Sequence, residues 1–76
     1  MNLQKEIIAK RIKNLRIERG INAVEVSKAL GVSKSAISHI EHGTNAPDLK
    51  TIFALAVYFD VSIDYLVGLS DLKERG

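Results

Sequence analysis

The stretch Ala23-Val24-Glu25-Val26-Ser27-Lys28-Ala29-Leu30-Gly31-Val32-Ser33-Lys34-Ser35-Ala36-Ile37-Ser38-His39-Ile40-Glu41-His42 decides how this chain folds. Its apolar residues recur at helical spacing on both sides of Gly31. Asn22 stands before the first run with Glu25 three residues on, a capping-box pattern with Asn in place of Ser or Thr. That helix is predicted to end at Leu30, because Gly31 supplies the positive φ of a tight turn. Ser33 then caps a helix from Lys34 to Glu41, which Gly43 terminates. Two helices joined by a turn of about three or four residues must cross steeply, at about 90–120°. Val26, Leu30, Val32, Ile37 and Ile40 fill the wedge between them, and Ser27 is small where the second helix passes closest to the first.

Outward from this pair, the same periodicity predicts three more helices. The first follows Asn2 and runs to Arg19, with Ile8, Ile12 and Leu15 on one face, most of its cations on the other, and Gly20 as a stop. After the loop Thr44-Asn45-Ala46-Pro47, Asp48 caps a helix that carries Leu49, Ile52, Leu55, Ala56 and Phe59 inward. Ser62 caps a short last helix from Ile63 to Val67, closed by Gly68. No stretch alternates strictly enough to be a strand. The expectation is an all-α, compact five-helix domain over residues 1–69, with a charged tail over 70–76 that frays.

Composition narrows the function. With 76 residues there is room for one core, and a chain of that size buries only about 60% of the surface its unfolded form exposes. The absence of cysteine removes disulfides, thiolate zinc sites and cysteine nucleophiles. An apolar fraction of 46% with one proline and five glycines is that of a globular domain. No apolar run approaches the roughly 20 residues that cross a bilayer, and Met1 to Glu6 lacks the stretch of a secretion signal, so a soluble cytoplasmic protein without a membrane partner is expected. The net charge of +2 is unevenly spread. Residues 1–45 hold eight basic and four acidic side chains, a balance of +4, and residues 46–76 hold three and five, a balance of −2. A basic half suits a face offered to a polyanion.

From about Ile8 to Gly68 the sequence resembles the phage-repressor-like helix-turn-helix domains of the lambda repressor and Cro type, also called the XRE type. The resemblance rests on Arg16, Arg19-Gly20-Ile21, Val26-Ser27 and Leu30-Gly31-Val32-Ser33. It continues through Ile37-Ser38, Ile40-Glu41, Gly43, Pro47, Leu55-Ala56 and Val61-Ser62-Ile63-Asp64-Tyr65-Leu66. It implies a lambda-repressor-like fold in which helices two and three form the helix-turn-helix and the third lies in the DNA major groove. The base-contacting residues it implies are Ser33, Lys34, Ser35, Ser38 and His39, with Ala36 near a thymine methyl. Phosphates would meet the free amides near Asn22 and Ala23, the Gly43 amide, Thr44, Asn45 and Arg16. Lys10, Lys13 and Lys28 would add longer-range attraction. The resemblance also implies a structural ion pair in which Arg16 bridges helix one to Glu41 at the end of helix three. Two departures stand out: Ala23 replaces the glutamine common at the start of helix two, and Val24 replaces a usually charged residue.

His39 and His42 are three apart, whereas a catalytic zinc helix spaces its histidines four apart with a glutamate between, and no third ligand is evident, so neither metal nor cofactor is expected. The chain likewise lacks a glycine-rich phosphate loop and a nucleophile beside a base, and no catalysis or small-molecule ligand is expected. Phe53, Val57, Ile63, Tyr65 and Val67 fall off or near the edge of the core stripe, and the region of the last helix joins two copies in similar repressors, so these five are the expected dimer interface; the competing role is completion of the core. The expected function is that of a sequence-specific double-stranded DNA-binding transcriptional regulator, a repressor acting as a homodimer on a pseudo-palindromic operator. The alternatives are a protein-interaction module, such as an antitoxin or antirepressor-like partner on the same fold, and a structural piece of a larger protein. The chain is expected to be almost wholly the DNA-binding domain.

Overall fold

A computed structural model describes residues 3–74, with side chains from Lys5 onward. Its five helices are α1 (Leu3–Glu18), α2 (Ala23–Leu30), α3 (Lys34–Glu41), α4 (Leu49–Phe59) and α5 (Ile63–Val67). Among the described residues there is no strand. The caps are those the sequence spells. Asn22 and Glu25 form a reciprocal box, Ser33 Oγ accepts from Ala36 N at 3.1 Å, Asp48 from Thr51 N at 2.9 Å and Ser62 from Tyr65 N at 2.9 Å. Hydrogen bonds from Thr51, side chain first and then main chain, hold the Asp48 carboxyl below its ordinary 3.8. The ionised cap therefore adds stability at neutral pH that is lost as pH falls through this lowered value.

One device ends every helix. The cap residue or the one after it turns left-handed, and the following amide reaches back to a carbonyl of the last turn. At α2 the residue is Gly31 (φ 71°), and Val32 N donates to Ser27 O at 3.0 Å. At α4 it is Asp60 (φ 56°), the only non-glycine at positive φ among the described residues. The residue that reaches back is apolar at four ends, Ile21, Val32, Val61 and Leu69, and at the first three of these the stop also starts the next burial, whereas Leu69 is exposed. The exception is Thr44 after α3, where the chain stays at the surface.

α1 packs on α3 and α5, α2 on α3 and α4, and α4 on α5. The core gathers Ile8, Ile12 and Leu15 of α1, Val26 of α2, Ile37 and Ile40 of α3, Leu55, Ala56 and Phe59 of α4, and Val61 and Leu66. Burying such side chains is worth about 1.5–3 kcal/mol each, before the entropy of ordering the chain is set against it. The domain measures 27 × 27 × 21 Å. Leu30 and Val32 pack at its margin, as the wedge requires.

Three expectations are corrected. α1 stops at Glu18, with Arg19 as its cap. Leu49 is not inward but 74% exposed. The start of α4 faces the α2–α3 turn through Lys50, Thr51 and Ala54, which leaves Leu49 outside. The described part of the tail is fastened: Lys73 O accepts from Ser62 N at 2.9 Å, and Arg11 donates to Ser70 O at 2.8 Å and to Asp71 at 3.1 Å. Arg11 also donates to Tyr65 O at 2.9 Å and lies 4.1 Å over the Tyr65 ring. Arg75 and Gly76 lie outside the described residues.

A Cβ added at Gly31 would meet nothing within 4 Å, so Gly31→Ala isolates the cost of left-handed backbone. That cost is about 1 kcal/mol, which lowers the thermal midpoint of a domain this size by about 4–8 °C. A midpoint within a degree of the parent would show that the turn relaxes to another geometry.

Candidate nucleic-acid interface

The α2–α3 pair presents one side of α3 to solvent and locks the other. Ile37 is fully buried and Ile40 nearly so, which fixes the rotation of the helix about its axis. Ser33, Lys34, Ser35 and His39 are exposed on the opposite side, and Ser38 is half-buried beside them. The five residues expected to read bases therefore lie on the accessible part of one short helix. Ser33 has an added duty, because its Oγ already accepts the cap bond and keeps its hydroxyl hydrogen for a ligand. Lys34 stands at the first helical position, at the end of the helix that enters a groove in such arrangements. Ala36 is half-buried.

The tilt of α3 is set at its far end by the Arg16–Glu41 fork. Arg16 Nε donates to Glu41 Oε2 at 2.7 Å, one terminal nitrogen to Oε1 at 3.0 Å and the other to the Ile21 carbonyl at 3.2 Å. The side chains are 20% and 9% exposed, so water screens the pair poorly. The Glu41 hydrogen bond raises the Arg16 pKa above its ordinary value. The expected ion pair is present. Arg16 was also expected at phosphate, and that role is corrected: its guanidinium is turned inward to Glu41 and Ile21.

The expected phosphate contacts divide in the same way. The amides of Ala23 and Val24 are the first of α2, where a helix leaves its donors without an internal partner. The Asn22 amide faces Glu25 Oε1 at 3.5 Å, a long bond that closes the box, so this end carries a carboxylate of its own. The Gly43 amide is withdrawn: it donates to Ile40 O at 3.1 Å, and Thr44 N donates to His39 O at 3.1 Å. What the loop after α3 can offer is the exposed side chains of Thr44 and Asn45. Val24 is 39% exposed, and nothing in the structure explains its apolar side chain there.

The five residues expected to form an interface do not lie together. Phe53 (61% exposed), Val57 (51%) and Ile63 line a groove of about 690 Å³ between α4 and α5. Tyr65 lies away from it under Arg11, and Val67 packs against the core. Both are corrected to the core margin, because α5 is a single short turn whose other side must cover α1. No three His, Cys, Asp or Glu side chains among the described residues group as metal ligands would. Among the described residues no helix is long and apolar enough to cross a membrane. Arg11 has no role assigned from sequence, and His42 is considered there only as a metal ligand. The Arg11 acceptors lie 54 to 60 positions away, where no local spacing points, whereas His42 sits one turn beyond Ser38 and could have been placed on its stripe.

A helix pair with one polar, exposed helix locked from behind defines a helix-turn-helix domain. A helix-turn-helix family model (HTH_3) matches residues 12–66, and the chain belongs to that family. It is 37% identical over 65 residues to the cryptic phage CTXphi transcriptional repressor RstR of Vibrio cholerae, covering 86% of this chain and 59% of the relative. It is 28% identical over 68 residues to the transcriptional regulator ImmR of Bacillus subtilis, covering 90% and 54%. A crystal structure of an HTH_3 family transcriptional regulator from Vibrio cholerae superposes with a TM-score of 0.79 at 28% identity, over 92% of this chain and 40% of that one. The chain thus spans little more than half the length of these curated relatives.

Glu41→Ala leaves the Arg16 charge without its carboxylate at a poorly hydrated site, a loss of about 3 kcal/mol, the low end for breaking such a pair. Against a total of about 4–11 kcal/mol for a domain of this length, that is a large share. Both the denaturation midpoint and DNA affinity are expected to fall. Unchanged values of both would reduce the fork to a surface contact.

Proposed function

We propose that this chain is a sequence-specific double-stranded DNA-binding transcriptional regulator, a repressor whose α3 reads the major groove. The observation that carries the reading is the exposed polar side of α3, held at fixed rotation by Ile37 and Ile40 and at fixed tilt by Arg16 and Glu41. The likeness to the transcriptional repressor RstR and the transcriptional regulator ImmR supports it. Base contacts are assigned to Ser33, Lys34, Ser35, Ser38 and His39. Phosphate contacts are assigned to the start of α2 at Ala23 and to Thr44 and Asn45. The role is binding and not catalysis. Affinity for random duplex should fall steeply as salt rises, because neutralising several phosphates releases their counterions. Lys34→Ala should cost about 1–3 kcal/mol and relax preference at one base position. A uniform loss on all sequences would move Lys34 to the phosphates, and a flat salt response would sink the DNA reading.

Two copies are proposed to associate through Phe53, Val57 and Ile63, setting two α3 helices about 34 Å apart over a pseudo-palindrome. The same exposed groove suits a protein partner, which is the second reading. Phe53→Lys places a charge at this contact, so ultracentrifugation should show a dimer for the parent and a monomer for the variant. A parent that stays monomeric at high micromolar concentration, free and on DNA, removes the dimer.

A further inference from the structure

Ser35, Ser38, His39 and His42 stand at the spacing i, i+3, i+4 and i+7, which places all four on one helical face. The first three belong to the proposed base-reading set, and His42 extends that face to the exposed loop of Thr44 and Asn45. Its ring is exposed but not free to turn. Nδ1 lies 2.7 Å from the main-chain oxygen of Ser38 and 3.3 Å from Ser38 Oγ. A carbonyl oxygen can only accept, so Nδ1 carries the hydrogen and Nε2 is the nitrogen left for a ligand. In the neutral ring Nε2 is a lone pair, which a phosphate oxygen repels. In the imidazolium it is a donor, and the bond to phosphate is charge-assisted.

We propose that His42 is a further DNA-contacting residue, which donates Nε2–H to a backbone phosphate and takes up one proton from solvent when the duplex binds. The proposal rests on the DNA-binding reading and adds a residue and a linkage to it. Histidine is the side chain that ordinarily changes charge between about pH 5 and 8. The other titratable groups on α3 are Lys34, His39 and Glu41, and Glu41 is committed to Arg16. α1 meets this end of α3, with Ala9 and the Lys5 carbonyl 3.9 and 4.0 Å from where a Cβ on Gly43 would stand, and it brings Lys5, Glu6 and Lys10. α2 packs on α3 and brings Glu25 and Lys28. His39 is the other imidazole among these groups, so it is the control.

A phosphate contact is independent of sequence, so the probe is a labelled random-sequence duplex in low-salt buffer, titrated with the full chain at fixed ionic strength from pH 5.5 to 8. Parent affinity should fall about tenfold as pH rises, the worth of one charge-assisted hydrogen bond. His42→Asn should flatten the profile, His39→Asn should keep it, and His42→Arg, charged throughout, should restore at pH 8 the affinity of the parent at low pH. A parent profile that is flat while binding persists, or one that vanishes with His39→Asn and survives His42→Asn, overturns the proposal. Absence of binding at every pH by parent and His42→Arg alike overturns the DNA reading, and the proposal with it.

Discussion

The fork between Arg16 and Glu41 is the constraint on which the recognition surface depends. Apolar packing of Ile37 and Ile40 holds α3 against the core, but packing is non-directional and tolerates a change of tilt. A planar guanidinium bonded at two carboxylate oxygens does not. Its third bond, to the Ile21 carbonyl, brings in the residue that leads into α2. One side chain thus references the end of α3 to α1 and to the start of the helix-turn-helix. The net stability of such a pair can be near zero, since desolvation opposes attraction, and its value here is geometric.

Around that fixed point the polar groups of the HTH are divided between structure and ligand. Ser33 closes the first turn of α3 and still exposes its hydroxyl, whereas Gly43 spends its amide on ending the same helix. The opening of α2 carries its own carboxylate in Glu25, which stabilises the helix end and competes with any anion arriving there. With Ala23 in place of a longer amide side chain, that site relies on main-chain donors alone. Affinity would then come from many small terms, which is the setting in which a single conditional contact is felt.

Most of the fold was legible because its signals are local. Asn22, Ser33, Asp48 and Ser62 each name a start, and Gly31 and Gly68 each name a stop, within four residues of the group they satisfy. The ion pair was legible only through family resemblance, since its partners are 25 positions apart. What failed had a common cause. Leu49 and Tyr65 have the right spacing for the sides assigned to them, but the neighbour that covers or bares them is distant in sequence: the α2–α3 turn for one and Arg11 for the other. The withdrawal of the Gly43 amide follows from the helix stop itself, and treating the glycine as both a stop and a ligand counted one hydrogen twice.

Arg11 gives the end of the described chain a meaning that composition conceals. Residues 70 to 73 look expendable, with no core residue among them, yet Ser70 O and Asp71 Oδ1 join Tyr65 O as acceptors for a cation that α1 would otherwise leave beside an aromatic ring. The first helix and the last described residues are therefore closed on each other like a clasp, through the acceptors a guanidinium finds and not through an apolar contact.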